Sequence, residues 1–306
     1  MGGDAMNGIT IAIPTYNRGA ILVETIERLL ALEPRADEIV IVDQTPQHPP
    51  EIAAKLKTWA SGGEIRWERL EKPSVPAAMN HALRIASQPI VLFLDDDLIP
   101  APSLAGVHRD AHGDGIWAVV GQVLQPGEEP GHFDESRLHR GAVRDLEFPF
   151  RHDVGTDVEN VMAGNLSVVR ERALSSGGFD ERFLYAAYRF ESDFARRVIA
   201  AGGRIRFEPR AQIRHLKLPT GGVRSHGDPR RTAAPTHSAG DYLFALKHVP
   251  RFWPYAARRF RQNVFTRYTL AHPVAIPMKA IAEIRGLILA RRLARRESFS
   301  PSGSCT

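Results

Sequence analysis

The sequence predicts an α/β domain, a central and mainly parallel sheet with helices on both faces. Two observations carry this expectation. From residue 9 to residue 124, short apolar runs alternate with stretches of helical periodicity, the rhythm of strand–helix–strand units. Polar groups also gather where the apolar runs stop, at Tyr16 and Asn17, at Asp43, and at Asp95 to Asp97. In open α/β sheets, ligands bind beyond the C-terminal ends of the strands.

Ile9–Pro14 (ITIAIP) is a short apolar run closed by proline, the mark of a buried strand, and TYNRGA after it is a loop. Ile21–Leu32 has helical apolar spacing, and Glu38–Asp43 (EIVIVD) is a second buried strand. The helix EIAAKLKTWA precedes a third, more polar strand, Glu64–Leu70. A helix over Val75–Ser87 leads to the strand Pro89–Leu94, and one from Pro102 leads to the strand Ile116–Val123. Gln125–Asp157 is rich in charge, glycine and proline without a clean period, a long excursion of the kind that surrounds a substrate. Val158–Arg170 restores a strand with Gly164 and Asn165 inside it. A short helix and turn follow, then the helix Phe190–Gly202, closed by glycine. RIRFEP and AQIRHL are two short strands, PTGGVRSHGDPR is a loop, and the chain beyond Pro235 is helical and arginine-rich. The expected organisation is a flexible N-terminus at 1–8, one domain at 9–235 with halves at 9–124 and 125–235, and a basic helical extension at 236–306.

The bulk numbers narrow the function. A chain of 306 residues suits one large domain with an attachment. A net charge of +5 and a pI near 9.5 are mildly basic, not the profile of a nucleic-acid binder. The single cysteine, Cys305, allows neither an internal disulfide nor a zinc–thiolate cluster. MGGDAMNG lacks the basic and apolar regions of a signal peptide, and no apolar stretch is long enough to span a bilayer. The expectation is a cytoplasmic protein, either free or peripheral on the cytoplasmic face of a membrane.

IVLFLDDDLIP poses the sharpest question, because three aspartates end a buried strand. One reading is a solvated acidic turn that caps the next helix. The other is a divalent-cation site, since a cation relieves the mutual repulsion and oxygen ligands suit Mg²⁺ or Mn²⁺. Without a phosphate-binding P-loop in the sequence, such a metal would itself clamp a diphosphate.

Taken in order, IPTYNR, IVIVDQT, LFLDDD, GGFDERF with FESDFARRVIAAGG, and PRAQIRH resemble the inverting family 2 glycosyltransferases over residues 9 to 225. That resemblance implies the Rossmann-like nucleotide-diphospho-sugar transferase fold (GT-A), with a mixed central sheet and helices on both faces. It implies a UDP-, dTDP- or GDP-sugar donor and Mn²⁺ or Mg²⁺. It places Pro14, Thr15, Tyr16, Asn17 and Arg18 at the nucleotide, Asp43 at its base, and Asp95 and Asp96 near the sugar nucleotide. Asp97 and Asp95 match metal-binding positions, with His215 as a further ligand of metal or diphosphate. Glu191 falls at the catalytic-base position where the family pattern has aspartate, and Asp193 matches the last aspartate of that pattern. As residues alone, Glu191 reads equally as a first-turn helix carboxylate, and Asp193 as a partner for Arg196 or Arg197. Lys72, Asn80 and Asn165 are further donor-side candidates, Tyr188 and Arg189 acceptor-side ones, and Arg224 or His226 would cover the diphosphate from a glycine-hinged lid. Trp67 and Trp117 read as core aromatics. Where the family has an Arg-Asn pair, this chain has Met79-Asn80.

The expected activity is metal-dependent, inverting hexosyl or deoxyhexosyl transfer to a hydroxyl on a glycan, a lipid-linked sugar or a small molecule. Two alternatives stand beside it. A nucleotidyltransferase should carry a basic, glycine-rich loop after the first strand, and TYNRGA is poor in both. A non-catalytic sugar-nucleotide or glycan-binding protein would lack a placed base. In the tail, Ile276, Ile281, Ile284, Leu287, Ile288 and Leu293 fall at spacings a helix brings roughly to one side, among arginines. That stripe either meets an anionic membrane, or packs on the domain or on a second subunit of a homodimer.

Overall fold

The computed structural model describes residues 8–134, 138–139, 143–217 and 232–296. Strands β1 (Ile9–Thr15), β2 (Glu38–Asp43), β3 (Arg66–Arg69) and β4 (Ile90–Leu94) pair in parallel in the order β3-β2-β1-β4. The isoleucines and valines of β1, β2 and β4 are buried on both sheet faces, which is why these three strands read as unbroken apolar runs, while the edge strand β3 is polar. Helix α1 (Ala20–Leu30) buries Leu22, Val23, Ile26 and Leu29 on one face, and α2 (Pro50–Ser61) buries Ile52 and Leu56. Helix α3 (Val75–Ile85) starts where the Ser74 hydroxyl accepts from the Ala77 N–H, with Pro76 in its first turn.

Beyond β4 the sheet turns mixed. A short β5 (Leu98–Pro100) leads to α4 (Leu104–Ala111) and β6 (Ile116–Leu124). Strand β7 (Thr156–Asp157) is followed by β8 (Asn165–Val169), which runs antiparallel between β4 and β6. Helices α5 (Arg170–Ser175) and α6 (Phe190–Ala200) precede β9 (Arg204–His215), and the full order is β3-β2-β1-β4-β8-β6-β9-β5.

Two details differ from the sequence expectations. Residues 158 to 164 are not strand; β8 begins only at Asn165, whose N–H turns back to Met162 O at 3.2 Å. The two short strands expected at 204–216 are one. Its register against β6 jumps from Gly121↔Glu208 to Gln122↔Gln212. That bulge takes Pro209 out of the ladder, so the proline does not end the strand.

The extension is helical throughout its ordered elements: α7 (Ser238–His248), α8 (Phe252–Val264), α9 (Arg267–Ala271) and α10 (Ala275–Ala294). Helix α7 is buried along most of its length, under α10 and against α6. Residues 1–7 and the loop holding Arg224 and His226 lie outside the described residues.

Candidate active site

Because β1, β2 and β4 are parallel, their C-terminal ends open on one edge of the sheet. One cleft there is lined by Thr15, Tyr16 and Arg18 after β1, Gln44 after β2, Ser74 before α3, and Asp95 and Asp96 after β4. Ala163, Tyr185 and His215 close its far side.

The three aspartates have separate environments. Asp97 is fully buried, with Oδ1 2.9 Å from His215 Nε2. Pairing of Leu98 with His215 across β5 and β9 sets that imidazole in place, as does the Leu216 N–H to Asp97 O bond at 2.8 Å. Asp95 is exposed to the cleft, with Oδ2 3.6 Å from the same His215 nitrogen. One ligand atom from each of Asp95, Asp97 and His215 lies within 4.8 Å of the others. Two carboxylates and an imidazole are a donor set that Mn²⁺ or Mg²⁺ accepts. His215 Nδ1 lies 3.1 Å from Gln125 Oε1, and a proton donated there would leave Nε2 to bind a cation. The site also needs Gly164, because a Cβ there would stand 2.3 Å from Asp95 Oδ2. Asp96 points elsewhere: Arg18 Nε is 2.8 Å from its Oδ1, and Arg18 Nη2 is 3.4 Å from Asp97 Oδ2. Burial pushes the Asp96 carboxyl up to about 7, against the pull of Arg18.

Glu191 sits in the first turn of α6. Its Oε1 accepts the Ala163 N–H at 2.6 Å. Burial pushes its carboxyl up to about 7 and the charge of Asp95 adds to this, while the Ala163 N–H and Arg189 pull the other way. Ala163 faces the cleft, whereas Glu191 lines a second cavity with Met162, Tyr188 and Arg189. The non-strand segment before β8 thus borders both. The second cavity shares Glu147, Tyr188 and Arg189 with a third, where α8 contributes Tyr255, Arg258 and Gln262. The third shares Tyr188, Arg259 and Asn263 with a fourth, bordered by Tyr268 and Lys279. These neighbouring cavities, bordered by shared residues, form an interrupted trough from Glu191 to the C-terminal helices.

Several expected site residues have their polar groups committed outside the cleft. Asp43 is fully buried, and its carboxylate is held by His48 Nε2 at 2.7 Å, Trp67 Nε1 at 3.0 Å and the Thr45 N–H at 2.8 Å. The neighbouring Gln44 faces the cleft instead, and its amide donates to Lys72 O and Ser74 O. The Lys72 side chain is exposed, and so is Asn17, whose backbone has φ 55° and donates to Thr45 Oγ1. Asn80 donates to Phe179 O and Glu181 and accepts from the Phe179 N–H, so it pins the 178–181 turn. Asn165 donates to Gln122 O and Ala211 O and meets His108 Nε2 at 2.8 Å, filling the β6–β9 bulge. Asp193 is fully buried under Arg197, Lys247 and His248, and this array holds its carboxyl well below the usual range. Sequence reasoning missed Gln44, Ala163 and Tyr185. Only Gln44 carried a signal, as the residue just past the end of a parallel strand.

A Rossmann-like mixed sheet whose strand ends bring two aspartates and a histidine within reach of one cation is the arrangement of the GT-A fold. Residues 10–177 match the family model described as glycosyl transferase family 2, so the chain belongs to that family. No curated protein matches its sequence. Among solved structures it is similar to GalNAc-T7 with UDP, GalNAc and Mn²⁺, at TM-score 0.61 and 14% identity, covering 83% of this chain and 51% of that one. It is also similar to the mannosyltransferase PcManGT from Pyrobaculum calidifontis with GDP-Man and Mn²⁺, at TM-score 0.52 and 17% identity over 93% of this chain and 73% of that one. A third is S. aureus TarS, at 0.52 and 13%, covering 86% and 44%. The chain thus spans about half the length of the first and less than half of the third.

Proposed function

We propose that the protein transfers a hexosyl or deoxyhexosyl group from a nucleoside-diphosphate sugar to a hydroxyl, with inversion at the anomeric carbon. The observation that carries this is the position of Glu191, one backbone segment away from the cleft that holds Asp95, Asp97 and His215. The donor would occupy the cleft, and the acceptor would come from the trough with its hydroxyl entering the cleft beside Ala163, whose N–H Glu191 accepts. The acceptor oxygen attacks the anomeric carbon, its proton passes to Glu191, and the bond to the diphosphate breaks with its electrons leaving on the diphosphate oxygen. A divalent cation held by Asp95, Asp97 and His215 would supply positive charge for the leaving diphosphate. Arg18 lines the same cleft and bridges Asp96 and Asp97, offsetting their mutual repulsion. We give Asp193 a positioning role, holding α6 to α7, rather than a share in proton transfer.

Two of the similar structures hold Mn²⁺ with different nucleotides, UDP in one and GDP-Man in the other. That supports Mn²⁺ here and leaves UDP-, dTDP- and GDP-sugars all to be tried. Among glycan, lipid-linked and small-molecule acceptors, a lipid-linked sugar suits a protein that sits on the cytoplasmic face of a membrane. The test is a donor screen with Mn²⁺, reading released nucleoside diphosphate by mass spectrometry with and without acceptors. Release that needs both Mn²⁺ and Glu191 supports the reading. Donor binding with no turnover on any acceptor points to a sugar-nucleotide-binding protein, and release of pyrophosphate from a nucleoside triphosphate and a sugar phosphate, supplied in a parallel arm, to a nucleotidyltransferase.

A further inference from the structure

Helix α10 is mounted with small residues inward. Ala282, Gly286 and Ala290 face the protein, and Gly286 packs so closely on α7 that a Cβ there would lie 2.2 Å from Ser238 Oγ. Its large apolar residues point the other way: Ile281 is 44% exposed, Ile284 51% and Ile288 47%. The apolar stripe expected from spacing is therefore split, with Leu293 buried and the three isoleucines outside. At the α9–α10 junction Leu270 and Val274 are also exposed. Trp253 of α8 is exposed too, with Arg291 stacked 4.8 Å from its ring. Single exposed apolar side chains are ordinary, but such a concentration on one extension marks an interaction surface.

Charge decides the partner. From Thr232 to Arg296 the sequence holds 12 lysines and arginines and 2 acidic residues, Asp241 and Glu283. Both acids are buried. Asp241 is paired with Arg189 and Arg259, and Tyr242 donates to Glu283. The described part of the extension thus presents cations around its isoleucines and no exposed carboxylate. A second copy docking face to face would bring like charges together. An anionic lipid surface complements both the charge and the isoleucines, with tryptophan and arginine at the depth of the headgroups. Among the described residues no helix is long and apolar enough to cross a membrane, so the contact is lateral.

We propose that the outward face of α10, with Trp253 and the α9–α10 junction, docks the protein on an anionic phospholipid surface. The surface goes beyond the transferase reading and does not depend on it. The trough from Glu191 ends at Tyr268 and Lys279, beside the α9–α10 junction, so docking brings a membrane-borne acceptor to the trough.

The test is co-sedimentation of the full chain with vesicles of phosphatidylcholine alone, or of phosphatidylcholine and phosphatidylglycerol in equal parts. Truncation is a poor probe, because removing α10 uncovers α7. Two surface variants are used instead, Ile281→Ser with Ile284→Ser and Ile288→Ser, and Arg285→Gln with Arg292→Gln and Arg295→Gln. Their melting temperatures should match the parent's. The parent should bind anionic but not neutral vesicles. Partition should fall at least about tenfold in the isoleucine variant and roughly hundredfold in the arginine variant. No binding by the parent, equal binding to neutral vesicles, or unchanged binding by either variant overturns the proposal. So does a concentration-dependent dimer that the isoleucine variant abolishes, which would assign the face to a second copy. The readout is partition, so failure of the donor screen leaves this result intact, and the reverse holds.

Discussion

Glu191 and Asp193 are two residues apart on one helix and are driven in opposite directions. Asp193 gathers Arg197, Lys247 and a hydrogen bond from His248, and its carboxyl is held well below the usual range. Glu191 has one backbone N–H and the nearby negative Asp95, so burial raises its carboxyl to about 7. A proton acceptor must be ionised, so transfer should rise with pH through an inflection near 7. Glu191→Gln should keep donor affinity by calorimetry, lose about 10²–10⁴-fold in transfer, and lose the inflection. A variant that transfers at the parent rate would move the base elsewhere. The stability sign is the reverse. Protonated Glu191 is the better-accommodated form, so its contribution falls as pH rises from the unfolded value near 4.5 through the folded value near 7. At the cation cluster, Asp97→Asn keeps the shape and removes one anionic ligand. Mn²⁺ affinity, read by calorimetry on the free protein, should drop at least about tenfold. Unchanged affinity would separate the cluster from metal binding.

Among the elements, α4 and β8 are joined by a buried network that periodicity does not reveal. His108 meets Ser167 Oγ at 2.9 Å and Asn165 at 2.8 Å, and His112 meets the same hydroxyl at 2.8 Å. Burial pushes both imidazoles down to about 4. Each therefore contributes stability that is present above the unfolded value near 6.5 and is lost as pH falls toward 4. Asp96 and Glu191 oppose this over much of the same range, so the informative quantity is a difference. His108→Gln can keep the hydrogen bonds and cannot take up the proton. Its melting temperature relative to the parent should rise between pH 7 and pH 5, and a constant difference would remove His108 from the acid response. The strands β1, β2 and β4 and the helices α1 and α3 were legible because burial on one or both faces leaves a period. Asp95, Asp97 and His215 were legible as candidate ligands, which the structure brings together, and Glu191 as a carboxylate in the first turn of a helix. The bulge in β9 and the inward commitments of Asn80 and Asn165 were not. A side-chain amide is polar in sequence whether it meets a sugar or a backbone carbonyl, and only the register of distant strands decides which.

For the whole molecule, the extension is joined to the base helix by buried ion pairs. Arg189, just before α6, has φ 71° and donates to Asp241 on α7 at 3.0 Å. Asp241 also takes Arg259 and Tyr255 from α8, and Arg259 Nε lies 3.3 Å from Glu283 of α10, which accepts from Tyr242. A left-handed backbone at an arginine is costly and persists only where its surroundings hold it. Tyr185 and Ala187 just before it also have positive φ, so this whole turn depends on outside support. Asp241 supplies much of it, and the turn in turn sets where Glu191 begins its helix. Asp241→Asn removes the charge shared by two arginines while nearly keeping the side chain's size, at a cost of about 3–5 kcal/mol, as for other broken buried pairs. The melting temperature should fall. If the cluster positions the base, transfer should fall further than the loss of folded protein explains and further than donor affinity falls, because Tyr185 is the one residue of that turn that lines the cleft. Equal losses in donor affinity and transfer would mean that the cluster supports only the fold.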